Sequence, residues 1–363
     1  MNPLFSNKLA RSALAMIIAL PLAACQAPAS TSKALRPPQV SATAGNITER
    51  ELSAGLYELT YSAKAHALFA ATAQSFKDVN GGVIYRLDPA TLAILGQTHT
   101  DLKNFGMTSN AQGDTLYVTQ TLDSSVSAID AVSGKVKARL TFKDKNPDGK
   151  PVNPREIIWH DGTLYIGGVG DPGIIWIVDA NTLQLKGQIN HAGKWVTGLL
   201  WSQATQRLYA ANGSGEIMVI NPRSHKIEAR WTPDDGQKHM FLNLAEDAQS
   251  GRLFATDNSA AKNTLVFDQH SGKVIKQLDV GDSLAIKFNP QRNEIYITQR
   301  ESGKLLQLDA SSYALKHSWD LKPNPNSLLL SEDGQTLYVT VKQAFNKDHS
   351  SKGLDKLLRI KLN

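Results

Sequence analysis

One short phrase returns seven times along this chain: Leu68-Phe69-Ala70, Leu116-Tyr117-Val118-Thr119, Leu164-Tyr165-Ile166-Gly167, Leu208-Tyr209-Ala210, Leu253-Phe254-Ala255-Thr256, Ile295-Tyr296-Ile297-Thr298 and Leu337-Tyr338-Val339-Thr340. Subtracting the first residue numbers gives steps of 48, 48, 44, 45, 42 and 42 residues, in or near the period of a four-stranded propeller blade. Such a unit cannot bury both of its faces alone, so neighbours must stack and share their cores. The repeat therefore overrides the two-domain expectation that 363 residues would otherwise raise.

The unit is clearest at residues 283–319. Residues 283–288 read as an inner strand, 289–293 as a turn, and 294–299 as a second strand in which Tyr296 alternates with Ile295 and Ile297, as a half-buried strand requires. A third strand at 304–308, a turn at 309–312 and an outer strand at 314–319 complete it. Third strands end at Asp88, Asp130, Asp179, Asn221, Asp268 and Asp309, each followed two to four residues on by Ser or Thr. A side chain of that kind accepts hydrogen bonds from the turn it begins, so these carboxylates are expected to be structural. The seventh unit ends with its third strand at 357–361. Residues 47–52 have the register of an outer strand and are expected to complete that blade, removing the sheet edges an open array would expose. The fold class expected is all-β: a seven-bladed β-propeller over residues 47–363, closed by an N-terminal outer strand in the last blade.

The first 24 residues read as a lipoprotein signal peptide. Lys8 and Arg11 precede a short apolar run at 13–22, and small residues follow. Leu22-Ala23-Ala24-Cys25 resembles a bacterial lipobox, which makes Cys25, the one cysteine of the chain, the expected lipid-attachment residue. Residues 25–46 are rich in Ala, Ser, Thr and Pro and are expected to form a flexible tether. Gln26 after the cysteine points to the outer membrane under the sorting rule for enterobacterial lipoproteins, so a periplasm-facing lipoprotein of the cell envelope is expected, touching the membrane through its lipid only. Losing Lys8 and Arg11 takes the formal charge from +6 to +4 (6 − 2). A balance so mild does not by itself single out nucleic acid.

The Leu-Tyr-Val-Thr phrases, the segment Val83-Ile84-Tyr85-Arg86-Leu87-Asp88-Pro89, and the steps Pro154-Arg155-Glu156 and Pro325-Asn326-Ser327 resemble the YncE-type periplasmic seven-bladed propellers of the YVTN-repeat group. The resemblance runs from about residue 47 to the end. It implies a periplasm-facing propeller that binds single-stranded DNA and has no established enzymatic activity. The family pattern has a plain secretory signal, and Cys25 departs from it.

In a blade of this topology, the loops leading into the inner strands and those between the second and third strands open on one face, where function concentrates. The first set carries Lys103, Phe105, Arg155, Lys194, Trp195, Lys238, His239, Phe241, Asn243 and Asn326. The second carries Phe76, Lys77, Arg300 and Lys342. Lys and Arg can follow a phosphate backbone, and an aromatic face can stack on an unpaired base for about 1–3 kcal/mol. The sequence offers no helix or ribbon suited to a major groove, so these residues are the expected single-stranded DNA contacts. Arg155 and Arg300 are the preferred phosphate pair because arginine binds phosphate bidentately. The same residue types also occur as solvated lysines and as rings wedged between blades. Segments 72–82, 143–153 and 342–356 are longer than the repeat needs.

Two alternatives stand beside DNA binding. One is a protein-interaction scaffold for an envelope partner. The other is a lactonase-like hydrolase using His239 with Arg155 and Glu156. No catalytic residue, metal or cofactor is expected: His66, His160, His225 and His270 lack ligand spacing, and Gly167-Gly168-Val169-Gly170 leads into another strand rather than a helix. A monomer is expected.

Overall fold

The structure, a computed structural model, describes residues 46–76 and 79–362. Cys25, the signal peptide, nearly all of the tether and Lys77 lie outside the described residues. Seven four-stranded antiparallel sheets follow one another along the chain. Their inner strands are Leu56–Ser62, Met107–Ser109, Asn153–His160, Val196–Ser202, Phe241–Asp247, Ile286–Asn289 and Asn324–Leu330. Each inner strand lies against that of the next blade, and the last lies against the first. The ring is a closed seven-bladed β-propeller, as the repeat required.

Closure comes from the strand expected to provide it. Ile47–Glu51 pairs antiparallel with Lys356–Lys361, placing Ile47 opposite Ile360 and Glu51 opposite Lys356. It is the outer strand of blade 7. The two ends of the described chain are therefore zipped into one sheet, which has no unfilled position.

The repeated phrase is explained by what each of its positions faces. Its first and third residues pack on the preceding blade and its aromatic second residue on the following one. Leu116 and Val118 share a core with Phe69 and Ile84 of blade 1, whereas Tyr117 joins Leu164 and Trp176 of blade 3. At the seam, Leu337 and Val339 pack on Tyr296 and Leu305 of blade 6, while Tyr338 joins Leu68 and Leu87 of blade 1. The second strand at Glu294–Gln299 is thus buried on both faces rather than half-buried as its alternation suggested, because a blade lies on either side of it.

Where the phrase has a threonine in fourth place, its hydroxyl latches blade to blade. Thr119 Oγ1 accepts from Gly106 N at 2.9 Å and donates to Arg155 O at 2.9 Å. Thr256 does the same between Asn243 N and Leu284 O, and Thr298 between Ala285 N and Asn326 O. Thr340 reaches across the closure to Tyr57 O at 3.5 Å. Blade 4 has Ala211 instead, and there Thr197 of the inner strand donates to Phe241 O at 2.6 Å. Approach is so close that a Cβ on Gly106 would stand 2.0 Å from Arg155 O.

The turn aspartates have the structural role read from the sequence. Asp88 Oδ1 accepts from Ala90 N, Thr91 N and Thr91 Oγ1, and Asp130, Asp179 and Asp309 repeat the pattern. The hydroxyl and amide of the Ser or Thr three residues on hold these carboxyls below the usual range.

Candidate ligand site at the channel mouth

The inner strands begin on the face where the inlet loops gather. In each blade one inner-strand residue pairs with the third residue of the phrase: Leu59 with Ala70, Met107 with Val118, Ile157 with Ile166, Leu328 with Val339. Counting two residues back gives Tyr57, Phe105, Arg155 and Asn326. Equivalent positions in a ring converge, which is why residues far apart in sequence meet here.

Tyr57 is the centre of the cluster and is 3% exposed. Lys342 Nζ stands 3.5 Å from its ring centroid and Arg155 Cζ 4.9 Å, distances at which a cation is attracted to an aromatic face. Arg155 also lies 5.9 Å from the ring of Phe105, which packs on Tyr57 at 4.8 Å. Arg155 Nη1 is buried and has no hydrogen-bond partner. Arg300 donates from Nη2 to Asn326 Oδ1. Burial, with Arg155 beside it, lowers the Arg300 pKa to about 10. Lys342 is 4% exposed, donates to Leu56 O at 3.0 Å and lies 3.8 Å from Asp355. Its burial, reinforced by the charges of Arg300 and Arg155 against the pull of Asp355, brings the ammonium down to about 7.

Asp355 does more than face Lys342. Its Oδ2 accepts from Leu56 N at 2.8 Å and its Oδ1 from Gln343 N at 2.6 Å. The pair is thus a clasp between blades 7 and 1, set beside the recess.

Deeper along the inner strands the character changes. Glu58 and Glu156 occupy half-buried positions with Lys287 nearby, and Ser327 Oγ donates to Glu58 at 3.3 Å. Desolvation pushes both carboxyls up, Glu58 adding to the effect at Glu156, while Arg155 and Lys287 oppose it. Carboxyls, not further arginines, line the way down.

An aromatic run leads outward from the recess. Phe105 faces Phe76 at 6.4 Å, and Phe76 faces Phe345 at 5.9 Å. Phe76 and Phe345 come from the two long segments flanking the closure, and both are half-exposed. Lys103 holds the first of these segments by donating to Ala73 O, Ser75 O and Val79 O at 2.8 Å each and Gly81 O at 3.3 Å. Its ammonium is committed to loop structure and sits 5.5 Å from the Phe76 ring; burial lowers its pKa. The tips of the other two long segments are small hairpins, bridged at Lys145–Pro151 and Phe345–Ser351.

Of the residues singled out from the sequence, Phe76, Lys103, Phe105, Arg155, Arg300, Asn326 and Lys342 are linked by these contacts. The rest of the described ones, Lys238 apart, have other partners. Lys194 lies 4.2 Å over the ring of Trp195, and Lys238 is exposed. Phe241 is fully buried, edge to face on Phe267 at 5.8 Å. Asn243 donates to Leu284 O. His239 is held between Asp257 Oδ2 at 2.7 Å and Asp235 Oδ1 at 3.0 Å, so both ring nitrogens are engaged. Sequence reasoning passed over Tyr57, Glu58, Lys287 and Asp355. Tyr57 was reachable by counting back from Leu59 as one counts from Ile157 to Arg155; Asp355 carried no such signal.

No protein-family model matches the chain. It is similar to the "Uncharacterized protein YncE" of Salmonella typhimurium and that of Escherichia coli (strain K12), in each case 41% identical over 324 residues, covering 88% of this chain and 92% of the relative. A shorter similarity, 25% over 171 residues, covers 46% of this chain and 37% of "Antigen Lp49" of Leptospira interrogans.

Proposed function

Because the chain belongs to the YncE family of propellers, we propose that it is a non-enzymatic binding protein of the cell envelope that holds single-stranded DNA on its inlet-loop face. One observation carries the reading: Arg155, Arg300 and Lys342 gather about Tyr57, with Arg155 Nη1 buried and unpartnered, at the foot of a run of rings ending in half-exposed Phe76 and Phe345. A buried guanidinium nitrogen lacking a hydrogen-bond partner favours an incoming anion, and half-buried rings beside it favour unpaired bases. Exposed Lys238 and half-buried Lys194 extend the cationic surface on the inlet loops of the same face.

The test is an oligonucleotide titration at two salt concentrations with Arg155→Ala/Arg300→Ala. Two lost phosphate contacts should flatten the slope of log K against log salt by about 1.4, at about 0.7 per contact for single strands. An unchanged slope would remove both arginines from the site.

Anchoring through an acyl chain on Cys25, at the outer membrane and facing the periplasm, belongs to the same reading. Labelling cells with a palmitate analogue checks it: label should disappear in Cys25→Ser.

A scaffold for another protein is the second reading. It is favoured by Ile94, Leu95, Val132 and Val136, about half exposed on adjoining parts of blades 1 and 2. Binding of that kind would resist salt.

A further inference from the structure

The groups at the channel mouth are not arranged symmetrically about the ring. Among the described residues, rings lead away from Tyr57 on one side only, through Phe105 of blade 2, Phe76 of blade 1 and Phe345 of blade 7. Across the mouth the aromatic positions are already occupied: Phe241 is buried on Phe267, and the face of Trp195 is covered by Lys194. Downward, Glu58 and Glu156 offer carboxyls where a continuing phosphate chain would need counter-charge, and the cations beside them are Arg155, which belongs to the recess itself, and Lys287. A strand that passed through would need a cationic or stacking path on both sides of the phosphate held there. A strand that stopped would need one.

We propose that the recess formed by Arg155, Arg300, Lys342 and Tyr57 holds the terminal phosphate of a single strand, with the adjoining bases laid against Phe76 and Phe345. The inference rests on the single-strand reading above and adds the chain end as the feature recognised. A phosphomonoester carries about −1.5 to −2 charge at neutral pH and three strong acceptor oxygens; an internal diester carries one charge and must leave in two directions. The larger charge suits a recess with several clustered cations, one of them with a buried unpartnered donor.

The experiment is calorimetric titration of the full chain with oligothymidylates of one length carrying a 5′-phosphate, a 3′-phosphate or neither, and with a circularised strand of the same length. One of the phosphorylated ends should bind at least about tenfold more tightly than the unphosphorylated strand, since hydrogen bonds to charged groups are the stronger kind. The circle should bind no better than the strand lacking phosphate. Arg155→Gln should weaken both strands, and the phosphorylated one more, so that the advantage of the phosphorylated end disappears. Arg155→Lys, which retains charge without the guanidinium fork, should restore part of it; thermal melting of both variants reports whether they are folded. Equal affinity for all four ligands would overturn the terminal assignment and leave the single-strand reading standing. Failure of every strand to bind would overturn both.

Discussion

Thr298→Val tests whether the fourth residue of the repeated phrase holds the ring together. The side chain is fully buried, and valine reproduces its shape without its oxygen. Two bonds disappear, from Ala285 N at 3.0 Å and to Asn326 O at 2.8 Å, while the Thr298 N to Ala285 O bond at 3.0 Å survives. An orphaned buried donor or acceptor costs about 1–3 kcal/mol. Two of them, less the gain from an added buried methyl, give an expected loss of about 2–4 kcal/mol. That is a large share of the roughly 5–15 kcal/mol that folded chains hold in reserve. Equilibrium urea unfolding followed by tryptophan fluorescence reads it, with Trp319 packed in the core shared by blades 6 and 7. The midpoint should fall while the slope stays constant. Thr182→Val is the control, because its hydroxyl bonds Asp179 in an exposed turn and should cost less than about 1 kcal/mol. If Thr298→Val costs no more than that control, the hydroxyl is not what couples the blades.

Deleting residues 46–51 should strip Lys356–Lys361 of its outer partner and leave an unpaired edge; light scattering should then show added self-association and urea unfolding a lower midpoint, and unaltered mass and midpoint would refute the role of closure. Burial opposes the His239 imidazolium, but Asp257 and Asp235 outweigh it and hold its pKa above the ordinary value. Its stabilisation is full below the unfolded pKa of about 6.5 and is lost as pH rises through the folded one, so His239→Gln should abolish that decline in melting temperature as pH rises above about 6.5. Lys342 has the opposite sense. Its folded pKa of about 7 lies below the unfolded value of about 10.4, so its term is most favourable above the unfolded pKa and is lost as pH falls towards 7. The wild type should therefore gain stability with rising pH over that window relative to Lys342→Met, and parallel curves would show that the ammonium is not depressed.

The architecture was legible because each repeat carries its own instructions. Leucine, aromatic and β-branched residues in the order of the phrase name the preceding and following blades, and aspartate with a serine or threonine three residues on names the turn. Local chemistry decides both, so a linear reading finds them. The strand that closes the ring was equally visible, since a unit lacking an outer strand implies a donor elsewhere.

The functional mouth was legible only by residue type. Lysines and rings on inlet loops look alike in sequence, yet Lys103 is spent on four carbonyls, Phe241 is core, and His239 is tied to two carboxylates. Arg155 alone among these has a buried nitrogen with no partner. What the sequence by itself determined is the blade, its repetition and the place where the chain closes, because those follow from contacts between residues near in number or fixed by period. Only the tertiary structure decided which side chains share the space around Tyr57, since Tyr57, Phe105, Arg155, Arg300 and Lys342 come from separate blades and meet solely because the ring brings the starts of its inner strands and the ends of its second strands to one mouth.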